Sequence, residues 1–320
     1  MRRTRLAAVA VCAALLATSA CGGETEGKEA GSDGDVDLKV GVIPIVDTAP
    51  IWLGDDKGFF EDEGIDLSIE TTSGGAAAVP GVVSGDFDFA FGNVVSLMVA
   101  AEQGLDLQFV VNGVSTTGEA KKDFSAVVVP EDSPIKTPAD LDGAKVSVNN
   151  LKNIGDTTVR YAIEQDGGDS SGVDFVEVPF PDAPAALSKG EVDAAWVLDP
   201  FLTTALGNGA RVVSWNYVEM SPKLDIAGYF ATDEFLETNP DLSDRFTSAM
   251  TKSMEYADAH PDEVRDIVGT YTEIDEKTRQ KMTLPTYRAE FDRASMETLG
   301  EAAVDFGTLS DAPDLDSLLP

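Results

Sequence analysis

Residues 39–70 read KVGVIPIVDTAPIWLGDDKGFFEDEGIDLSIE, and this stretch decides the fold. Its first segment, Lys39 to Ile43, is short, apolar and rich in β-branched residues, which is typical of a buried strand. Pro50 suits the first position of a helix, where no backbone N–H is needed, and Thr48 precedes it as a candidate cap. Ile65 to Glu70 alternates apolar and polar residues as a second strand. The stretch therefore predicts a βαβ unit, and its first loop follows a strand, where open α/β sheets bind their ligands.

The same stretch resembles the start of the binding proteins of the NMT1/THI5-like family, which serve sulfonate, nitrate, taurine and thiamine-precursor importers. The phrase KGFFEDEGI at 57–65 is one of four phrases that occur in the family's order. The other three are SGDFDFAFG at 84–92, SPIKTPADLDG at 133–143 and GEVDAAWVLDPF at 190–201. The resemblance covers about residues 38 to 310. It implies an α/β, two-lobed periplasmic-binding-protein fold of type II, with two crossover hinge strands and a helical C-terminal segment.

The order of the predicted elements indicates how the chain is divided. Strands and helices alternate through most of the sequence, which then reads mainly helical towards its C-terminus. Extended segments at 123–130 and 226–232 stand where the family crosses between its lobes. We therefore predict a first lobe from residues 38–125 and 228–320, and a second lobe from residues 126–227.

A basic segment and then an apolar one open the chain. Three arginines precede eleven apolar residues at 6–16, a run that is too short to span a bilayer and is typical of a signal peptide. The following Thr-Ser-Ala-Cys at 18–21 resembles a bacterial lipobox, which predicts that residues 1–20 are removed and that Cys21 is lipidated. The alternative is ordinary signal cleavage that leaves Cys21 as a free thiol.

Residues 21–37 are rich in glycine and acidic residues and lack apolar periodicity, which predicts a flexible tether. A lipid on Cys21 followed by such a tether predicts an extracytoplasmic protein anchored to the outer face of a bacterial cell membrane. Cys12 and Cys21 are the only cysteines in the sequence, so the segment after the tether has no disulfide and no thiol nucleophile.

The chain is strongly acidic, with a formal net charge of −34. Residues 1–20 contain three arginines and no acids, so their removal gives −34 − 3 = −37. Such a charge repels the phosphates of nucleic acids, which excludes that class of partner. The predicted partners are a small-molecule ligand, an ABC permease with its ATPase, and the membrane, and we expect a monomer.

The inventory of catalytic residues argues against an enzyme. The sequence contains one histidine, His260, which precedes a proline at a predicted helix junction. It contains no GxSxG motif, and GVSTTG at 113–118 lacks the lysine of a phosphate-binding loop. We therefore expect no cofactor and no metal. The alternatives are a secreted enzyme of the same fold, since some relatives synthesise pyrimidines, and a surface lipoprotein without a transport function.

Loops that follow the predicted strands supply the predicted ligand site, because strand carboxyl ends in one lobe share an edge. The candidate ligand-binding residues are Asp47, Thr48, Trp52, Ser73, Gly74, Gly75, Asn93, Asn153, Asp156, Thr157, Thr158, Phe180 and Asp199. Helix capping is the alternative role for Asp156 and Asp199. Core packing is the alternative for the aromatic residues Trp52, Phe180 and Trp196.

Acidic side chains dominate the candidate loops, whose carboxylates are Asp47, Asp156, Asp182 and Asp199. The nearest basic residues in the sequence are Lys152 and Arg160. Unpaired carboxylates in a closing cleft repel an anion, because burial strengthens the repulsion of like charges. We therefore slightly favour a pyrimidine-like heteroaromatic or amine-bearing ligand over an organosulfonate or other small anion.

Overall fold

The computed structural model describes Lys28 and residues 35–320. The predicted signal peptide and the lipobox cysteine, Cys21, lie outside these residues. The described chain contains ten strands and thirteen α-helices. The strands are Val36–Val42 (β1), Ile65–Thr71 (β2), Phe89–Asn93 (β3), Leu107–Ser115 (β4), Ser125–Pro130 (β5), Lys145–Val148 (β6), Asp174–Glu177 (β7), Ala194–Leu198 (β8), Ala210–Ser214 (β9) and Asp225–Thr232 (β10).

The helices lie between the strands and, after β10, follow one another to the C-terminus, as the sequence predicts. Their bounds are Ala49–Asp56 (α1), Gly75–Ser84 (α2), Val94–Glu102 (α3), Ile154–Gln165 (α4), Ala183–Ser188 (α5), Phe201–Gly207 (α6), Asn216–Met220 (α7), Asp233–Thr238 (α8), Pro240–Ala259 (α9), Pro261–Tyr271 (α10), Glu276–Arg279 (α11), Arg293–Asp305 (α12) and Leu315–Leu318 (α13). Among the residues described, no helix combines the length and the apolar character needed to cross a membrane.

The strands form two five-stranded sheets that share one plan. The first sheet has the order β2-β1-β3-β10-β4, and the second has the order β7-β6-β8-β5-β9. In the first sheet β1 is parallel to β2 and β3, whereas β10 is antiparallel to β3 and β4. In the second sheet β6 is parallel to β7 and β8, whereas β5 is antiparallel to β8 and β9. The predicted α/β class is confirmed.

The predicted βαβ unit is present, and β1 pairs in parallel with β2 from Val36 opposite Ile65 onwards. Gly64 ends the preceding turn at φ 66°, a left-handed conformation that favours glycine. The predicted capping role of Thr48 is wrong, since its side chain makes no bond to the start of α1. Residues 46–48 form a 3₁₀ turn, and the Thr48 hydroxyl instead donates to the Ile43 carbonyl at 2.7 Å. The hydroxyl therefore holds the loop after β1 in a tight fold.

The chain passes between the two sheets twice, after β4 and after β9, and the two passages run side by side. Ser115 at the end of β4 lies opposite Asp225 at the start of β10. The Thr116 N–H donates to the Leu224 carbonyl at 3.0 Å, which extends this pairing beyond the sheet. A buried side-chain bond of 2.6 Å from Ser115 Oγ to Asp225 Oδ1 adds to the connection. The two passages are therefore held together where they leave the first sheet.

Candidate functional site

Loops at the strand carboxyl ends of the first sheet contact loops at the corresponding ends of the second. The Asn149 amide donates to the Ser73 carbonyl at 3.4 Å. A Cβ atom on Gly74 would lie 2.0 Å from Asn150 Oδ1, so the backbone and the amide are in close contact. We call this contact zone the seam. It comprises residues 45–48, 73–75 and 93–96 on the first side, and residues 149–158 and 199 on the second.

Two helix N-termini face each other across the seam. Asn93 caps α3 by accepting from the Ser96 N–H at 2.9 Å, and Asn153 caps α4 by accepting from the Ile154 N–H at 2.8 Å. The Asn153 side-chain amide donates to Ser96 Oγ at 3.1 Å, which links the two caps. Asp156 completes a capping box by accepting from the Asn153 N–H at 2.6 Å. Each helix start therefore has an N–H group that donates to the side chain of its capping asparagine.

Asp156 takes the alternative, capping role, and burial raises the pKa of its carboxyl. Thr157 Oγ1 lies 3.2 Å from Thr308 Oγ1, a contact between the second-sheet side and the C-terminal helices. Thr158 Oγ1 donates to the Ile154 carbonyl at 2.7 Å and accepts from Asn216 Nδ2 at 2.7 Å. Asp156, Thr157 and Thr158 thus lie in the seam, and their side-chain oxygens form hydrogen bonds with other protein atoms.

The glycines of the loop after β2 permit a close approach of backbones. A Cβ atom on Gly75 would lie 2.6 Å from the Gly92 Cα, which is shorter than any real contact of that kind. Ser73 is exposed and meets the other side through its carbonyl, not its hydroxyl. The loop therefore contributes backbone, and only glycine fits at position 75.

Two of the predicted aromatic residues pack away from the surface. The rings of Phe180 and Trp196 lie 5.2 Å apart in an edge-to-face arrangement, and both side chains are buried. Trp196 Nε1 donates to Ser125 Oγ at 2.9 Å, so its polar atom is satisfied. Both residues have the core role that the sequence left open as an alternative.

Three buried carboxyl groups lie at the seam or in the segment that joins the two sheets. Asp47 comes from the loop after β1, Asp199 from the loop after β8, and Asp123 from the segment between the sheets. The Val46 N–H donates to the Asp199 backbone carbonyl at 3.1 Å, which brings the two loops together. Burial raises the pKa of Asp47 to about 8, and the charges of Asp123 and Asp199 add to this shift.

The three acids differ in how well they are bonded. Asp199 accepts N–H bonds of 2.9 Å from Thr203 and from Thr283, and burial raises its pKa to about 6. Asp123 accepts from the Phe124 N–H at 2.9 Å and from two further donors, and burial raises its pKa as well. Asp47 is 2% exposed, and its Oδ1 has no hydrogen-bond partner among the described residues. Asp47 is therefore the acid that is able to accept a new donor.

Tyrosines from the C-terminal part of the chain line the loop that carries Asp47. The Tyr271 hydroxyl donates to the Ile45 carbonyl at 3.0 Å, and the Tyr287 hydroxyl donates to the Val46 carbonyl at 2.8 Å. Trp52 stacks on Tyr271, with ring centroids 4.9 Å apart. The buried Tyr229 hydroxyl and Trp52 Nε1 have no partner in the part of the chain that the structure describes. Local sequence patterns gave no signal for these tyrosines, because they lie far from residue 47 in the sequence.

Two grooves lie elsewhere on the surface. One, of about 660 Å³, lies between α6 and the segment around α11, and the other, of about 700 Å³, lies between α4 and α12. Neither is lined by Asp47, Asp199 or the aromatic side chains near them. Since unpartnered buried polar atoms are rare in folded proteins, the seam around Asp47 is the stronger candidate site.

Two α/β units whose strand ends meet at a seam define a two-lobed binding-protein fold of type II. Residues 45–264 match the family model described as NMT1/THI5 like, and the chain belongs to this family. Solved structures share the fold over most of their length. The periplasmic aliphatic sulphonate binding protein SsuA from Escherichia coli has a TM-score of 0.71 at 18% identity, covering 88% of this chain and 96% of that one.

A second solved structure leads to the same conclusion about the fold. The periplasmic nitrate-binding protein NrtA from Synechocystis PCC 6803 has a TM-score of 0.75 at 13% identity, covering 92% of this chain and 87% of that one. Among curated proteins, YtlA of Bacillus subtilis (strain 168) is 23% identical over 215 residues, which are 66% of this chain. The matched part spans 63% of the length of YtlA. The predicted family and the two-lobed fold are confirmed.

Proposed function

We propose that this protein is an extracytoplasmic solute-binding lipoprotein that captures a small organic molecule between two lobes and delivers it to an ABC importer. The lobes correspond to residues 38–125 with 228–320, and to residues 126–227. The observation that carries the proposal is the seam, where loops from the strand carboxyl ends of both sheets meet around the unpartnered Asp47 oxygen. Membership of the NMT1/THI5-like family supports it.

Binding works through opening and closing of the seam. The bonds from Asn149 to Ser73 and from Asn153 to Ser96 join the two sides, and they would break when the lobes separate. A ligand that contacts both sides stabilises the closed form by its difference in affinity for the two states. The permease and its ATPase would then recognise the closed, loaded form, and no chemical conversion of the ligand is required.

The proposed ligand is a pyrimidine-like heteroaromatic, with an organosulfonate or other small anion as the second candidate. The acids at the seam favour the first class, since a buried carboxylate repels an anion. The caps of α3 and α4 favour it too, because the Asn93 and Asn153 side chains already accept from the Ser96 and Ile154 N–H groups, which are then not free to bind an anion. The names of SsuA and NrtA describe sulphonate and nitrate binding, and for this reason an organosulfonate or other small anion is the second candidate.

Anchoring through a lipid on Cys21 is part of this proposal. The described chain begins beyond that residue, and Lys28 lies against the first lobe, where its Nζ is 2.5 Å from Asp88 Oδ2. A lipidated N-terminus would hold the binding protein close to its permease and raise its local concentration there.

Deletion of the gene tests the transport function. Cells that lack the protein should lose high-affinity uptake of one small nutrient, and the full-length protein should restore it. A screen of the purified protein by thermal shift, with sulfonates, nitrate, bicarbonate, pyrimidines and amines, tests the ligand class. A ligand at a hundred times its Kd should add about 2.7 kcal/mol to the free energy of unfolding. Unchanged uptake of every nutrient tested, with no stabilising compound in the screen, would contradict the proposal.

A further inference from the structure

Burial of the Asp47 carboxyl group costs free energy unless a ligand donates a hydrogen bond to it. Its side chain is 2% exposed, and its Oδ1 has no partner among the described residues. A buried carboxyl group that lacks a donor loses its hydration without recovering a hydrogen bond. Burial and the nearby Asp123 and Asp199 therefore raise its pKa to about 8.

The atoms around this oxygen favour a ligand that donates hydrogen bonds. The Tyr229 hydroxyl, also without a partner, is 1% exposed and is able to accept an N–H bond. The hydroxyls of Tyr271 and Tyr287 donate to the carbonyls of Ile45 and Val46, the two residues before Asp47, so both rings lie beside the loop that carries it. Tyrosine rings beside a carboxylate form a favourable environment for a positive charge.

The charged groups that face Asp47 favour a cation over an anion. Asp123 and Asp199 are acidic, and Arg265 is the base that acts on Asp199 and on Tyr287. The Arg265 guanidinium is held by the Pro261 carbonyl at 3.1 Å and by Asp262 at 3.5 Å, which offsets its charge. Its Nε has no partner among the residues described and is the group that an anion would use instead.

We propose that the ligand carries a protonated, N–H-bearing nitrogen, such as an amine or amidinium, and that Asp47 binds this nitrogen. The proposal rests on the proposed binding function and narrows its ligand class. A charge-assisted N–H bond to Asp47 would satisfy its unpartnered oxygen and cancel the repulsion within the acid cluster. Asp47 would then also act as the residue that rejects sulfonates and other anions.

Binding of a cation to Asp47 has a proton linkage with a definite sign. The cation binds the carboxylate form, whereas the free carboxyl with a pKa of about 8 is largely protonated at pH 6. Binding therefore releases a proton, and affinity rises by up to about tenfold per pH unit from pH 6 to pH 8, then levels off. A neutral ligand that accepts a bond from protonated Asp47, or an anion, would bind more weakly as the pH rises.

The test uses the full chain and three probes of similar size and different charge: benzamidinium, benzamide and benzenesulfonate. Methylammonium and 4-aminopyridinium extend the cationic set to other sizes. We expect at least one of the three cations to raise the thermal midpoint, benzamide and benzenesulfonate to leave it unchanged, and affinity by calorimetry to increase with pH. Asp47→Asn should lower the affinity for that cation by about tenfold or more.

The control for charge is Asp66→Asn, which removes an exposed carboxylate from the same lobe and should leave binding unchanged. Where Asp47→Asn does not fold, the pH dependence of the parent protein still decides. Stabilisation by benzenesulfonate, an affinity that falls between pH 6 and pH 8, or no response to any of the three cations overturns the proposal. The transport function is tested separately. Deletion of the gene would still abolish uptake of a nutrient if that nutrient were an anion.

Discussion

Asp199 and Thr283 are joined by a hydrogen bond of 2.9 Å from the Thr283 N–H to Asp199 Oδ2, although 84 residues separate them in the sequence. Asp199 follows a strand of the second sheet, and Thr283 lies in the C-terminal segment between α11 and α12. The other carboxyl oxygen accepts from the Thr203 N–H at 2.9 Å, within its own lobe. One side chain therefore bonds to the first turn of α6 and also to the backbone of the C-terminal segment.

Asp199→Asn should weaken closure, because an amide has one acceptor oxygen and cannot serve both N–H groups. We expect the free energy of unfolding in urea to fall by about 1–3 kcal/mol, since a buried donor is left without a partner. Small-angle scattering should show a larger radius for the unliganded variant than for the parent.

The control is Asp174→Asn, which changes an exposed carboxylate of the second sheet. An Asp199→Asn protein with the same urea midpoint and the same radius as this control would show that the bond to Thr283 does not stabilise the closed form.

The pKa of Asp47, raised from 3.8 to about 8, makes stability depend on pH with a negative slope. Between these two values the folded protein binds a proton that the unfolded chain releases. The contribution to stability is therefore complete below about pH 4 and lost as the pH rises through 8, with a slope of up to about −1.4 kcal/mol per pH unit. Asp47→Asn removes the titrating carboxyl group. The free energy of unfolding of the variant should therefore fall less than that of the parent between pH 5 and pH 8. Parallel curves of urea midpoint against pH would show that Asp47 is not buried in the closed protein.

The sequence predicted the elements well where signals are local. Residues 39–70 carry a strand, a helix-starting proline and a second strand in one continuous pattern, and the βαβ unit formed there. Asn93 and Asn153 cap α3 and α4, a role that the sequence analysis did not assign to them, since it gave both only as candidate ligand-binding residues. Thr48 was assigned wrongly because the 3₁₀ turn at 46–48 directs its hydroxyl towards the preceding carbonyls.

The sequence identifies single loops of the seam, because each loop follows a strand. It does not show which loops of the two sheets meet. Ser73, Asn93 and Asp199 lie at or just after strand ends and were named as candidates on that ground, whereas Asn149 and Asn150, which also follow a strand, were not named. Tyr271 and Tyr287 come from the helical C-terminal segment, and only the folded chain places their hydroxyls on the carbonyls of Ile45 and Val46. Whether the predicted residues bind a ligand stays a prediction.

Gly75→Ala should disrupt the packing of the loop after β2. The new Cβ would lie 2.6 Å from the Gly92 Cα and 3.0 Å from the Asn93 nitrogen, and backbone atoms cannot move aside as a flexible side chain would. We expect a loss of about 1–3 kcal/mol in the free energy of unfolding, together with weaker ligand binding. Gly207→Ala is the matched control in α6, where a Cβ meets nothing within 4 Å, and it should be neutral or stabilising by up to about 1 kcal/mol. Equal midpoints for the two variants would count against close packing at the seam.

Asp225→Ala should destabilise the passage between the lobes more than any surface change. This side chain is 0% exposed, accepts from Ser115 Oγ at 2.6 Å and Asn112 Nδ2 at 3.1 Å, and pairs with Arg288. Removing this buried carboxylate leaves Ser115 and Asn112 without their acceptor and the partly exposed Arg288 without its partner, at a cost of about 2–4 kcal/mol. Asp316→Ala is the control, since it breaks an exposed pair with Arg293 and should leave the urea midpoint unchanged. A small effect of Asp225→Ala would mean that the two passages are held together by backbone pairing alone.

Cys21→Ala tests the lipid anchor, which depends on a residue outside the described part of the chain. A lipidated cysteine becomes the N-terminus and holds the protein to the membrane through its acyl chains, whereas alanine cannot be lipidated. We expect the variant either to appear in the medium or to accumulate with its signal peptide attached, as shown by fractionation and by the mass of the N-terminal peptide. Cys12→Ala is the matched control, because it removes the other cysteine from the apolar run and should leave anchoring unchanged. A Cys21→Ala protein that is processed normally and stays with the membrane as the parent does would rule out the lipid anchor and leave ordinary signal cleavage near residue 20.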